Sequence, residues 1–396
     1  MNSENNEMID DEDIEGWFDS EDDINEAPQS KVSTTLEEKY SSSQLRVVRT
    51  SMDLTLHHLK QSLEDNDYIN ASPKYQRRHR WDIKKRSQLI ESFLMNIPIP
   101  PIFLFENNYN QYEIMDGRQR IDTLRSFMNN EFPLRSLEFW RELEGMRFHD
   151  LPNLIQRGLA RRTINAVVLL AETTMEDSSG VDIRKILFKR LNTGGVQLNP
   201  QELRNALYPG DFNDLVSELS RHQLFTSAWG IPNDRSINSE DIDPKLLKNP
   251  LYKSMADCEL IVRYFGIKRL IINDLGGSLR TILDKTCKEY QHLSKESIEE
   301  FRSDFILSLK GLTDIFGQKI FRIPSTNKLS RPLYDAIMVA YSLLPESEIE
   351  SKHIIMERLS KVLPGSDEYD VLIGKGNTPD AIKDRVQFAS LILRKE

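Results

Sequence analysis

Residues 112–132, Tyr-Glu-Ile-Met-Asp-Gly-Arg-Gln-Arg-Ile-Asp-Thr-Leu-Arg-Ser-Phe-Met-Asn-Asn-Glu-Phe, decide how the first half of the chain reads. An apolar, β-favouring run ends at Asp116-Gly117, and Ile121, Leu124, Phe127 and Met128 follow at helical spacing. Between them Arg118-Gln119-Arg120 has no apolar side chain and many donors. A strand that turns through Asp-Gly into a helix leaves the N–H groups of the first helical turn without intrahelical acceptors. Two guanidinium groups beside them make a site suited to phosphate. This stretch is the candidate ligand or active site.

Outward from it, Ile102–Phe105 and Tyr112–Met115 read as two strands joined by the polar turn Glu106–Gln111. Asp82 is placed to cap a helix with Leu89, Ile90, Phe93 and Leu94 on one face. The prolines of Asn96–Pro101 end that helix. A third strand is expected at Ile164–Leu170, after a segment of mixed character at Leu134–Arg162. Leu54–Leu63 has a helical pattern, and its adjacent His57 and His58 point to different faces, a poor metal pair. Helix, hairpin, helix and strand make a small α+β domain with a mixed sheet.

Residues 68–82 begin extended and become basic, with Lys74, Arg77, Arg78 and Arg80 interleaved with Tyr75, His79 and Trp81. Arginines pair with phosphate and rings stack on bases, so this segment suits a nucleotide or nucleic acid. The plainer alternative is a solvated loop anchored to the core by Trp81.

The remainder reads as mainly α-helical. Val181–Leu191 is periodic, and Asn192–Pro200 leads through Asn199-Pro200, a cap and a first-turn proline, into a helix at Gln201–Leu207. Residues 226–250 look loop-rich. Further helices are expected at 253–265, 278–291, 295–316, 331–344, 350–363 and 378–394. The expected domains are an acidic tail and linker at 1–43, a nucleotide-binding domain at 44–175 and a helical domain at 176–396.

The chain's net charge of −10 is unevenly spread. Residues 1–30 hold 12 Asp and Glu and no Lys or Arg, and removing them leaves 50 acids against 52 bases. An acidic tail is therefore attached to a nearly neutral body, and such a tail cannot bury enough apolar surface to offset its ordering entropy. The plainer reading is a solubilising tail; the alternative, carried by Ile14 and Trp17-Phe18 within it, is a short docking motif for a partner or for a basic groove on the same chain. Cys258 and Cys287, on helix faces expected to be buried, are too few for a disulfide framework or a four-cysteine zinc site. No stretch approaches the roughly 20 apolar residues of a membrane span, and the acidic N-terminus is no targeting signal, so a cytoplasmic location is expected.

These segments, in this order, resemble the N-terminal domain family of GmrSD-type modification-dependent restriction enzymes. The matching residues are Tyr75-Gln76-Arg77 with Trp81, Ile97-Pro98-Ile99-Pro100, and Asp116-Gly117-Arg118-Gln119-Arg120 in place of the family's Asp-Gly-Gln-Gln-Arg. Phe188–Gly195 with Leu198, Glu202 and Asn205 is similar to a second block, and Asp257–Phe265 and Arg331–Tyr341 to a helical extension. The resemblance implies a fold related to ParB and sulfiredoxin, and a nucleotide-responsive domain, in several members an NTPase, that controls DNA cleavage in anti-phage defence. Carried over, Gln76, Arg77, Asp116, Gly117, Gln119 and Arg120 would line the nucleotide site, and Asn192 and Glu202 match the second block. The seven histidines are dispersed without a paired metal motif, so no nuclease centre is expected in this chain and a separate nuclease or effector is the expected partner.

Within this site Arg118 and Arg120 would neutralise phosphate, Gly117 would let the backbone approach, and Asp116 would hold magnesium or orient water. Gln119 would position that water or bind the base, and Arg77 would close the site. No Gly-rich loop ending in Lys-Ser or Lys-Thr occurs, so this is not a P-loop protein. Three alternatives stay open: binding without hydrolysis of a triphosphate of undetermined base, a non-catalytic DNA-binding module using Lys74–Arg80 and Arg161-Arg162, and a regulatory subunit that docks an effector. For Asp116 the plain reading is a turn residue paired with a neighbouring arginine.

Overall fold

The computed structural model describes residues 9, 14, 16–18, 49–64, 68–70, 81–170, 187, 199–233, 243–317, 320–323, 325–374 and 376–395. They form two units. One holds the described residues from Arg49 to Leu187, and the other holds those from Asn199 onward together with the described residues of the N-terminal segment.

The first unit runs β1 (Arg49–Thr55), α1 (Leu56–Glu64), β2 (Ile69–Asn70), α2 (Ile83–Leu94), β3 (Ile102–Asn108), β4 (Gln111–Asp116), α3 (Arg118–Met128), α4 (Asn153–Ala160) and β5 (Thr163–Leu169). The sheet order is β1-β5-β3-β4-β2. β1 with β5 and β3 with β4 are antiparallel, whereas β3 with β5 and β2 with β4 are parallel. This is the mixed sheet expected of an α+β domain. Alternation supplies its core face: Leu54, Ile102, Leu104, Ile114, Ile164, Ala166 and Val168 pack with Leu59 of α1, Ile90 of α2 and Phe127 of α3.

The β3–β4 hairpin is tighter than the expected Glu106–Gln111 turn. Both strands extend until only Tyr109-Asn110 remains, with Asn110 at φ 62°, a conformation asparagine tolerates. β1 is an addition to the sequence reading, which began a helix at Leu54. The backbone stays extended through Thr55, pairing Arg49 with Leu169 and Thr55 with Thr163, and turns helical only at Leu56.

At the start of α2, Asp82 accepts a hydrogen bond from the Lys85 amide at 2.8 Å, as its position predicts. Two other charged residues serve the backbone. Glu91, buried in α2, accepts from the amides of Glu138, Phe139 and Trp140 at 3.2, 2.8 and 2.8 Å, which fastens the irregular segment after α3. Arg162 donates to the carbonyls of Phe93 and Leu94 at the C-terminal end of α2 (3.0 and 3.3 Å) and to Asn96 Oδ1 (2.8 Å). A guanidinium there satisfies carbonyls that lack intrahelical donors.

The second unit is helical, with α5 (Pro200–Leu207), α6 (Asp211–Leu219), α7 (Gln223–Trp229), α8 (Pro244–Lys248), α9 (Pro250–Lys253), α10 (Ala256–Asn273), α11 (Leu279–Tyr290), α12 (Lys295–Phe316), α13 (Arg331–Leu343), α14 (Lys352–Ser360), α15 (Asp367–Ile373) and α16 (Pro379–Leu393). The stretch at 226–250 is less irregular than expected, because it contains the end of α7 and all of α8. α10 is the unit's axis: every residue from Ala256 to Ile267 is buried. A helix surrounded on all sides usually carries no charge, yet Asp257, Glu259 and Arg263 lie here. Each has its counter-charge. Arg263 forks onto Asp335 of α13, Asp257 pairs with Arg221, and Glu259 lies 3.5 Å from Arg331. Cys258 and Cys287 are buried. Among the described residues no helix is long and apolar enough to cross a membrane.

Candidate functional site

The motif lies where β4 passes into α3. Gly117 is the N-cap at φ 90°, and its carbonyl accepts from the amides of both Arg120 and Ile121 at 3.0 Å. A Cβ on Gly117 would stand 2.5 Å from Ile102 Cγ2 and 3.0 Å from Arg120 Nη2. Glycine is thus required twice, by the left-handed backbone and by the close approach to β3. The cap has no side chain, so α3 begins with its backbone dipole uncovered by an N-cap carboxylate or hydroxyl.

The two arginines of the motif face carboxylates one turn away. Arg120 donates from Nη2 to Asp116 Oδ2 at 2.8 Å and from Nη1 to the Pro100 carbonyl at 2.7 Å, joining the end of β4 to the loop before β3. Arg118 Nε lies 3.3 Å from Asp122 Oδ2. The arginine pairing weighed for Asp116 is therefore present. It spends one carboxylate oxygen and leaves the side chain 29% exposed. Partly exposed pairs of this kind contribute about 0–1 kcal/mol, so they yield readily to a ligand of higher charge.

Gln119 Oε1 accepts the Trp81 amide at 3.1 Å. It ties the start of α3 to the chain immediately after the basic run ending at Arg80. Trp81 itself packs partly buried against the core with Lys85 5.1 Å above its ring, the anchoring role weighed for it. Gln76, Arg77 and Asn192 lie outside the described residues, as does the cluster Lys74–Arg80. Glu202 completes a capping box on α5: Asn199 Oδ1 accepts the Glu202 amide at 2.9 Å, and a Glu202 carboxylate oxygen accepts the Asn199 amide at 3.0 Å. Arg162, considered for DNA contact, is engaged by the carbonyls ending α2.

Asp122 is a residue the sequence reading passed over. Its Oδ1 is buried with no hydrogen-bond partner among the described residues, while Oδ2 holds Arg118. The signal was available, since Arg118 and Asp122 stand at i and i+4. For magnesium the donor set is suitable in kind. The ion retains waters and takes one or two carboxylates plus the oxygens of a bound anion, and Asp116 is one such carboxylate beside the start of α3. Among the described residues no group of three or more His, Cys, Asp or Glu side chains forms a self-sufficient metal cage. The chemistry available at the motif is thus anion capture by two arginines and a helix start, with one accessible carboxylate.

Residues 56–209 match the family model described as GmrSD restriction endonuclease, N-terminal domain. Searches of curated proteins and of solved structures returned no match.

Proposed function

We propose that residues 56–209, a GmrSD-type restriction endonuclease N-terminal domain, act as the nucleotide-responsive component of a DNA-restriction or anti-phage defence system. The ligand is a nucleoside triphosphate with magnesium. The observation that carries this reading is the start of α3, where the Gly117 N-cap provides no side chain and Arg118 and Arg120 stand in the first turn beside Asp116. Phosphate oxygens compete there with Asp116 and Asp122 for the two guanidinium groups, and a triphosphate carries more charge than either carboxylate. Asp116 is the residue that would hold magnesium once Arg120 turns to the phosphates, and that turn would also loosen the Arg120 link to Pro100. Through its hold on the Trp81 amide, Gln119 couples the start of α3 to Trp81. The output is a nuclease or effector on another protein, and hydrolysis, with Asp116 and Gln119 orienting water, resets the switch.

The test is nucleotide binding and phosphate release by the full chain with ATP, GTP, CTP and UTP in magnesium, with and without DNA. Arg120→Ala should weaken binding by at least about tenfold, as loss of a charge-assisted phosphate contact implies. Asp116→Ala should abolish release while the protein stays folded by circular dichroism. Unchanged affinity in Arg120→Ala removes the phosphate role. Release that persists in Asp116→Ala removes the catalytic one.

A further inference from the structure

Residues 14 and 16–18 of the acidic N-terminal segment are seated on the helical unit. Ile14 and Phe18, four residues apart with helical backbone, are buried to 2% and 7% exposure, while Gly16 between them is exposed. The Trp17 ring meets Trp229 of α7 edge-on at 6.0 Å and 72°. Arg331, at the start of α13, lies over the Trp17 ring at 5.2 Å and donates from Nη1 to the Trp17 carbonyl at 2.7 Å. Trp229 in turn stacks on Phe321 at 5.4 Å and meets Tyr334 at 5.6 Å. Its indole N–H has no acceptor among the described residues, so its contribution is ring contact. Among the described residues the tail meets an aromatic side chain, Trp229, and the buried Arg331, rather than the basic groove considered from the sequence.

Ile14, Trp17 and Phe18 fall at i, i+3 and i+4, the spacing of anchors on one face of a helix laid into a groove. Around them Asp10, Asp11, Glu12, Asp13, Glu15 and Asp19 are acidic. The apolar anchors provide contact area, and Arg331 adds a cation–π contact to the Trp17 ring and a hydrogen bond to the Trp17 carbonyl.

We infer that the site formed by Trp229 and Arg331, with Phe321 and Tyr334 backing the Trp229 ring, is a docking site for a short helical peptide of this tail's acidic sequence with apolar anchors at i, i+3 and i+4, and that Ile14–Phe18 is its tethered, displaceable occupant. Covalent attachment raises the local concentration of such a segment to the order of millimolar. A free peptide of the same sequence therefore meets strong competition in the wild-type chain and little once the tethered anchors are removed.

The experiment uses a fluorescein-labelled peptide of residues 9–20 and the full-length chain, read by anisotropy. Trp17→Ala/Phe18→Ala protein should bind the peptide, and the wild type should bind it at least about tenfold more weakly, the margin that tethered competition imposes. A peptide carrying the same two alanines should bind neither protein. Equal binding to both proteins, or no binding to the variant, overturns the inference. Should the variant fail to fold, hydrogen exchange of the wild type decides. Excess free peptide should speed exchange at residues 14–18 and leave Gln223–Trp229 protected, and no acceleration at 14–18 refutes displacement.

Discussion

Replacing Gly117 with alanine separates the motif's backbone requirement from its side-chain chemistry. At φ 90° an alanine is in left-handed territory, which costs about 1–2 kcal/mol. The new Cβ also meets Ile102 Cγ2 at 2.5 Å and Ile102 Cβ at 3.0 Å. β3 is paired on both edges, with β4 and β5, so it cannot move aside, and forcing a methyl into such a core costs about 1–3 kcal/mol. Together these give a loss of about 2–5 kcal/mol. Because the chain has two units, global unfolding is a poor reporter, and hydrogen exchange of peptides spanning Ile102–Asn108 and Arg118–Met128 reads the affected unit directly. Protection should fall by roughly thirtyfold to several thousandfold, at a decade per 1.4 kcal/mol. Ile102→Leu keeps the side-chain volume but removes the β-branched methyl. In that background Gly117→Ala should recover the packing part of the loss and retain the backbone part. A loss below about 1 kcal/mol, or one that Ile102→Leu does not reduce, would refute the account of Gly117.

Two further outcomes concern the helical unit. Arg263→Met strands Asp335 as a buried charge and should cost about 3–5 kcal/mol, whereas Arg263→Met/Asp335→Leu should regain most of it, because Glu259 still has Arg331 at 3.5 Å. Denaturant melts compare the two, and a double variant no better than the single one counts against the pairing as the cause. Burial holds the His222 imidazole below the ordinary histidine pKa, with Glu218 opposing the shift more weakly. The unfolded chain then takes up this proton first as pH falls. Stability from His222 is thus complete above the ordinary histidine range, declines through it, and levels off below the depressed folded value. His222→Gln should show a shallower stability loss than wild type between roughly pH 8 and 5 in urea titrations, and parallel curves would exclude the effect.

Local chemistry is legible in the sequence alone. Asp82 and Asn199 cap the helices their positions suggest, because a cap depends only on the next three residues. The β3–β4 hairpin and the helices Lys295–Phe316 and Pro379–Leu393 follow from alternation and helical periodicity. β1 was not legible. Arg49-Thr-Ser-Met-Asp-Leu-Thr55 carries little apolar alternation, since its outer face is exposed, and it is a strand because β5 lies beside it more than a hundred residues later. The same applies to Glu91, whose place in an amphipathic helix gave no hint of the three amides it receives.

At the motif, the strand-to-helix turn and the concentration of guanidinium groups follow from the sequence, since both arise within a dozen residues. The fold alone reveals that position 117 needs glycine, because its φ is 90° and Ile102 fills the space above it, that Arg120 rests on both Asp116 and Pro100, and that Gln119 holds Trp81. In the helical unit it also decided that a tryptophan in an acidic tail stands against Trp229. The reason is the range of the interactions. Turn geometry and helix periodicity are properties of neighbouring residues, whereas a side chain's partner is set by whichever distant segment the packed chain places within a few ångströms of it.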